Sequence, residues 1–171
     1  MRLFVAIRFS PQVNAALLRA QNILRRQGSG NFTQPENLHL TLAFIGETNQ
    51  LDAAIRAINT IKASSFTVKV SEMGHFGDLY WAGTGNNAAL SALQKRVSRA
   101  LEAEGFSLEK RTFRPHLTLC RRFRPYVDCD LRAAQAALNG AECRITRVSL
   151  MESRRIQGKL IYTERYGVNL A

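Results

Sequence analysis

Asn37-Leu38-His39-Leu40-Thr41-Leu42-Ala43-Phe44 returns, changed at its edges, as Arg114-Pro115-His116-Leu117-Thr118-Leu119-Cys120-Arg121. The shared centre is His-Leu-Thr-Leu, and two of the chain's 3 histidines fall in it. Coincidence explains this poorly. A strand sends successive side chains to opposite faces. His39 and Thr41 therefore share one face and Leu40 and Leu42 the other, while His116 and Thr118 oppose Leu117 and Leu119 in the same way. A solvent-facing row tolerates any polar residue. Imidazole plus hydroxyl, twice, suggests two similar half-sites facing one another.

The flanking sequence supplies a frame for those two strands. Arg2 to Phe9 reads as a buried strand. Ser10-Pro11 starts a helix with apolar Val13, Ala16, Leu17, Ala20, Ile23 and Leu24 at helical spacing, and Gly28 stops it. Gly28-Ser29-Gly30 is expected as a loop, Asn37 to Ile45 as a strand and Leu51 to Ile61 as a second helix. Phe66 to Glu72 alternates as a strand, with Leu79 to Ala82 as its hairpin partner. A third helix runs from about Asn87 to Glu104, followed by a short strand at Phe106 to Glu109 and the second motif strand at Leu117 to Cys120. A helix at Leu131 to Leu138 and strands at Arg144 to Met151 and Lys159 to Gly167 complete the chain. Helices between mostly hairpin-like strands argue for an α+β protein with antiparallel or mixed sheets. No glycine-rich phosphate loop follows any strand, which removes support for nucleotide-binding α/β folds.

With 171 residues, 46% apolar and 22% charged, the chain suits one domain over residues 1–171 with a sizeable core. Its apolar runs are far too short to cross a bilayer, and Met1 to Arg8 lacks a signal peptide's long apolar stretch. A soluble cytoplasmic protein and, with no surplus apolar patch, a monomer are expected. Cys120, Cys129 and Cys143 form an odd set without a Cys-x-x-Cys pair, so reduced thiols are the default. The net charge of +11 suggests a polyanionic partner, and the residues from 86 onward carry 16 basic against 8 acidic side chains. Lys110, Arg111, Arg114, Arg121, Arg122 and Arg124 bracket the second motif with no carboxylate among them; a merely solvated face is the competing reading.

Displacement at phosphorus needs one group to take a proton from the attacking oxygen and another to give one to the leaving oxygen, each with a pKa near 7. Imidazole suits both roles. Thr41 and Thr118 can hydrogen-bond the non-bridging oxygens, and a nearby arginine adds a fixed cation. No metal is required. Zinc or iron hydrolases need three or more ligands, whereas only His39, His75 and His116 exist, with Glu36 and Glu47 outside the tetrapeptide; a two-histidine metal site stays as a minor alternative. A serine triad lacks its Gly-x-Ser-x-Gly elbow. Alternation places Cys120 on the face of His116 and Thr118, where it reads as a small filler matching Ala43. His75 reads as a loop or strand-edge residue, and Phe76, Tyr80 and Trp81 as mostly core, although one of them could stack on a base.

Two His-x-Thr motifs separated by about half a chain resemble the two-histidine (2H) phosphoesterase superfamily, and within it the RNA 2′,3′-cyclic phosphodiesterases, also called 2′-5′ RNA ligases. The resemblance is carried by Leu3 to Ile7, Pro35 to Glu47, Phe113 to Leu119, and Ser153 with Gly158 and Tyr162. It implies a bilobal α+β fold in which two antiparallel sheets, related by a pseudo-two-fold axis, carry one motif each, with helices outside and a cleft between. It also implies hydrolysis of a terminal 2′,3′-cyclic phosphate to a 2′-phosphate without metal or other cofactor, and in some members reversible 2′-5′ joining. On that pattern His39 and His116 are acid and base, His116 activating water and His39 protonating the departing 3′ oxygen. Thr41 and Thr118 hold the phosphate, and Arg121 stands at the cleft edge. The implied partner is RNA with cyclic phosphate ends, tRNA fragments among the candidates. A non-catalytic RNA-end binding module and a phosphodiesterase for small 2′-5′-linked or cyclic nucleotides are the alternatives.

Overall fold

Local chemistry sets the helix boundaries. The computed structural model describes residues 1–171, beginning with strand β1 (Arg2–Ile7) and helix α1 (Pro11–Gln27). The Ser10 hydroxyl accepts a hydrogen bond from the Val13 N–H at 3.3 Å, and Pro11 takes the first helical position, where no N–H is needed. Strand β2 (Gly28–Phe32), a 3-10 turn at Pro35–Asn37 and strand β3 (Leu40–Glu47) follow. Then come α2 (Leu51–Asn59), β4 (Phe66–Val70), β5 (Glu72–Phe76), β6 (Leu79–Gly83) and α3 (Ala88–Ala103). The chain ends with β7 (His116–Pro125), α4 (Leu131–Leu138), β8 (Ala141–Ile145), β9 (Arg147–Ile156) and β10 (Lys159–Asn169). Asn87 caps α3 through the Leu90 N–H at 3.0 Å, and Asp130 caps α4 through the Arg132 N–H at 2.9 Å.

Eight strands form one sheet in the order β10-β9-β1-β3-β7-β6-β5, with β2 also against β7. Every pairing is antiparallel. The two halves of this sheet touch at a single pair, Leu40 opposite Leu117. An antiparallel pair of equivalent residues is what a local two-fold axis produces, so the expected two sheets are here two half-sheets hinged at one point. The separate second sheet is β4 with β8. The helices cover one face: Leu3, Val5, Ile7, Leu40, Leu117 and Leu119 are inaccessible there, together with Leu17 and Leu24 of α1 and Leu90, Val97 and Leu101 of α3. Burying apolar side chains contributes roughly 1.5–3 kcal/mol apiece, which makes this layer the main stabilising element. On the opposite face Phe4, Ala6 and Met151 form a small cluster with Tyr162.

Four expected elements differ. Gly28-Ser29-Gly30 is a strand, because missing side chains let β2 close on β7: a Cβ on Gly28 would lie 2.5 Å from the Arg124 carbonyl oxygen, and one on Gly30 2.6 Å from Cys120 Sγ. The run Phe66 to Glu72 breaks at Ser71, so β4 leaves to pair with β8 and the hairpin partner of β6 is β5. Likewise Arg144 to Met151 divides at Thr146 between β8 and β9. Phe106 to Glu109 has no strand pairing; Phe106 and Leu108 pack on the core from a loop.

Candidate active site

His39, Thr41, His116 and Thr118 are half-buried on the face opposite Leu40 and Leu117. Continuing the antiparallel register by one residue either way sets His39 level with Thr118, and Thr41 level with His116. Each imidazole is fixed in the same manner. His39 Nδ1 lies 2.6 Å from the Asn37 carbonyl, and His116 Nδ1 lies 2.6 Å from the Arg114 carbonyl. A carbonyl only accepts, so Nδ1 carries the hydrogen in both rings and Nε2 is the nitrogen left for chemistry. The Thr41 hydroxyl donates to Nε2 of neutral His39 at 2.9 Å.

Each ring also rests on a pair of aromatics. His39 meets Phe4 at 5.0 Å and Tyr162 edge-on at 5.1 Å; His116 meets Phe76 edge-on at 5.3 Å and Trp81 at 6.5 Å. This apolar packing withdraws the imidazoles from water and lowers both pKa values. The carbonyl bonds oppose that shift, while the Arg121 guanidinium reinforces it at both rings and His116 adds to it at His39.

Arg121 owes its place to a bulge. Tyr80 pairs with Cys120 but Trp81 pairs with Thr118, so Leu119 is an extra residue in β7. Leu119 and Cys120 consequently both face the core, and Arg121 returns to the face of His116 and Thr118. The first motif repeats the device: Val5 pairs with Ala43 and Ala6 with Thr41, Leu42 is extra, and Phe44 emerges 58% exposed. Simple alternation, which set Cys120 beside His116, fails for this reason. Cys120 is a core filler like Ala43, and burial pushes its thiol up to about 11. His75 is not brought to the pair; on β5 it bonds the Gly77 carbonyl at 2.9 Å and stacks on Tyr80 at 4.9 Å.

Three residues of the site had escaped the sequence reading. Phe44 occupies the offset from His39 that Arg121 occupies from His116. Gln21 is fully buried, with its amide nitrogen 2.9 Å from the Thr33 carbonyl and 3.0 Å from that of Leu119. The Thr33 hydroxyl donates to the Thr118 carbonyl at 2.8 Å and its N–H to Leu119 at 2.9 Å, so the bulge is held from outside the strand. A glutamine among the apolar positions of α1 was the available signal.

Residues 9–157 match the family model described as the 2′-5′ RNA ligase superfamily. The chain belongs to that superfamily. Within the superfamily, a Geobacillus stearothermophilus protein named RNA 2′,3′-cyclic phosphodiesterase is 32% identical over 114 residues, 60% of this chain. The match spans only 36% of that relative's length. A Thermotoga maritima protein of the same name is 31% identical over 133 residues, covering 71% of this chain and 70% of the relative. The crystal structure of E. coli LigT in apo form superposes with a TM-score of 0.79 at 24% identity, over 99% of this chain and 96% of that one. The α+β architecture is thus that of the superfamily. No helix is long and apolar enough to cross a membrane. No group of three or more His, Cys, Asp or Glu side chains is placed to hold a metal ion.

Proposed function

We propose that this chain hydrolyses the 2′,3′-cyclic phosphate at an RNA 3′ end to a 2′-phosphate, through proton transfer by two histidines and without a metal. The observation carrying this reading is the paired anchoring of Nδ1 on main-chain carbonyls, which leaves two equivalent Nε2 atoms on one face. His116 Nε2 removes a proton from water, and the water oxygen bonds to phosphorus. The P–O3′ bond breaks, and His39 gives its Nε2 proton to O3′. Protonation of His39 reverses its bond with Thr41: Nε2–H becomes the donor, and the threonine hydrogen is released to a phosphate oxygen. Thr118 and Arg121 hold the remaining charge that the transition state spreads over those oxygens. The bound phosphate anion supplies what the resting site lacks, a negative neighbour that raises His39 enough to keep its proton. Joining of 2′-5′ ends is the same step in reverse, with an RNA hydroxyl in place of water.

Protein dialysed against a chelator is mixed with an oligoribonucleotide ending in a 2′,3′-cyclic phosphate, and the product is followed by phosphorus NMR. The expected product is a 2′-phosphate, with turnover lowered about 10²–10⁴-fold in His39→Ala and His116→Ala while circular dichroism is unchanged. A 3′-phosphate would reverse the leaving-group assignment. Near-normal turnover in either variant, or a strict need for metal, would overturn the mechanism.

A further inference from the structure

Tyr162 packs edge-on against His39 at 5.1 Å and against Phe4 at 5.0 Å, which seats it beside the candidate reacting groups. Its register partner on β9 is Ser153, and Ser153 pairs in turn with Arg2 of β1. Arg2, Ser153 and Tyr162 thus form a row across three strands, and Arg155, two residues beyond Ser153, belongs to the same face. The β9–β10 hairpin is fastened over the first motif. The Asn37 amide donates to the Leu160 carbonyl at 3.0 Å, and Lys159 meets Glu36 at 3.7 Å. Arg121, Arg2 and Arg155 all bear electrostatically on the Tyr162 hydroxyl, opposing the rise that burial causes there.

Other arginines of this sheet are neutralised. Arg8 and Arg147 hold Glu164 at 3.4 and 3.0 Å, and Arg165 holds Glu152 at 2.5 Å. Arg2 and Arg155 are different. Arg155 bonds the Gly158 carbonyl at 3.3 Å, and Glu47, which faces Arg2 from β3, lies 3.6 Å from the terminal ammonium of Met1. Two guanidiniums therefore flank Tyr162 without a carboxylate of their own, beyond the one that faces the reacting phosphate. Guanidinium without an internal anion is well matched to phosphate.

We infer that Arg2 and Arg155 hold a second phosphate, the phosphodiester that joins the terminal nucleotide to the rest of an RNA strand. The inference rests on the phosphodiesterase reading and narrows it: the site is built for a polymer end and not for a mononucleotide. Arg121 serves the phosphate undergoing reaction, and the row on β1 and β9 serves its neighbour along the strand.

The test compares a mononucleoside 2′,3′-cyclic phosphate with a trinucleotide ending in one, at several salt concentrations. The proteins are the unmodified chain, Arg155→Ala, Arg2→Ala/Arg155→Ala and, as an equal loss of charge on α3 away from the cleft, Arg99→Ala. The expected result is about a tenfold loss of kcat/KM on the trinucleotide for Arg155→Ala and more for the double variant, from the lost charge-assisted bonds. The mononucleotide should change less than about twofold, and the salt dependence on the trinucleotide should become shallower by about 0.7 per arginine removed. Arg99→Ala should leave both substrates unaffected. Equal losses on the two substrates, or none on either, overturn the second subsite alone. Turnover of neither substrate by the unmodified chain overturns the phosphodiesterase reading and the subsite with it.

Discussion

The side-chain amide of Gln21 donates to the carbonyl of Leu119 at 3.0 Å, tying a fully buried residue of α1 to the extra residue of β7. Gln21→Leu removes that donor and the bond to Thr33, so it should cost about 1–3 kcal/mol in urea unfolding. Because the bulge also aims Arg121, kcat/KM should fall about tenfold or more in the same variant. A stability loss with unchanged kcat/KM would show that the bulge holds its shape without this contact.

Arg121 lowers the pKa of both imidazoles. Removing a cation makes protonation easier, so Arg121→Ala should move both limbs of the kcat/KM profile to higher pH. It should also lower the maximum by roughly 10–100-fold through the lost charge-assisted contact with phosphate. In the unmodified protein the optimum should lie on the acid side of the ordinary histidine value of 6.5, since both groups titrate below it. An optimum that stays fixed on Arg121 removal would contradict the electrostatic coupling.

Acid should weaken the fold through the same histidines. Their pKa values are lower in the folded chain than the ordinary 6.5 of an unfolded one. The stability they contribute is complete above that value and is lost as pH falls through the folded values. Glu164, held down by Arg147 and by the Ser149 hydroxyl, adds a loss of the same sign below its ordinary 4.5. Melting temperature should therefore be flat above pH 7 and fall from about pH 6.5 downward. His39→Asn/His116→Asn should flatten the upper part of that fall, and parallel curves for the two proteins would contradict this account.

Thiol reagents separate a core cysteine from an active one. Cys120 is inaccessible, with its thiol raised to about 11, whereas Cys129 and Cys143 are half-buried. A disulfide reagent should modify Cys129 and Cys143 first and leave Cys120 until the protein unfolds. Cys120→Ala should keep full turnover and lose about 1–2 kcal/mol of stability from the vacated volume. Rapid labelling of Cys120 in the folded protein would place it in the cleft after all.

The repeated tetrapeptide made both motif strands legible, because a period of two assigns each residue to a face whatever the surroundings. The helices were equally legible where Ser10 and Pro11 or Asn87 set a boundary. What the sequence hid was interaction between distant strands. Gly28 to Gly30 looked like a turn because glycine permits turns, yet here it permits contact with β7. The partner of β4 lies on β8, some seventy residues away, and no local signal names it. The same holds within the site. Arg121 could be taken from the family pattern, but Phe44 and the inward turn of Cys120 depend on bulges whose only trace is Leu42 followed by Ala43 and Leu119 followed by Cys120.

Two half-sites with the same proton carrier contain no instruction about which end of a molecule goes where. The shared tetrapeptide is blind to orientation. The instruction lies one step past each bulge, where one half presents the hydrocarbon ring of Phe44 and the other the cation of Arg121. Without the extra residue, alternation would have hidden both side chains in the core. A repeated scaffold has thus acquired a left and a right hand from one additional residue in each strand.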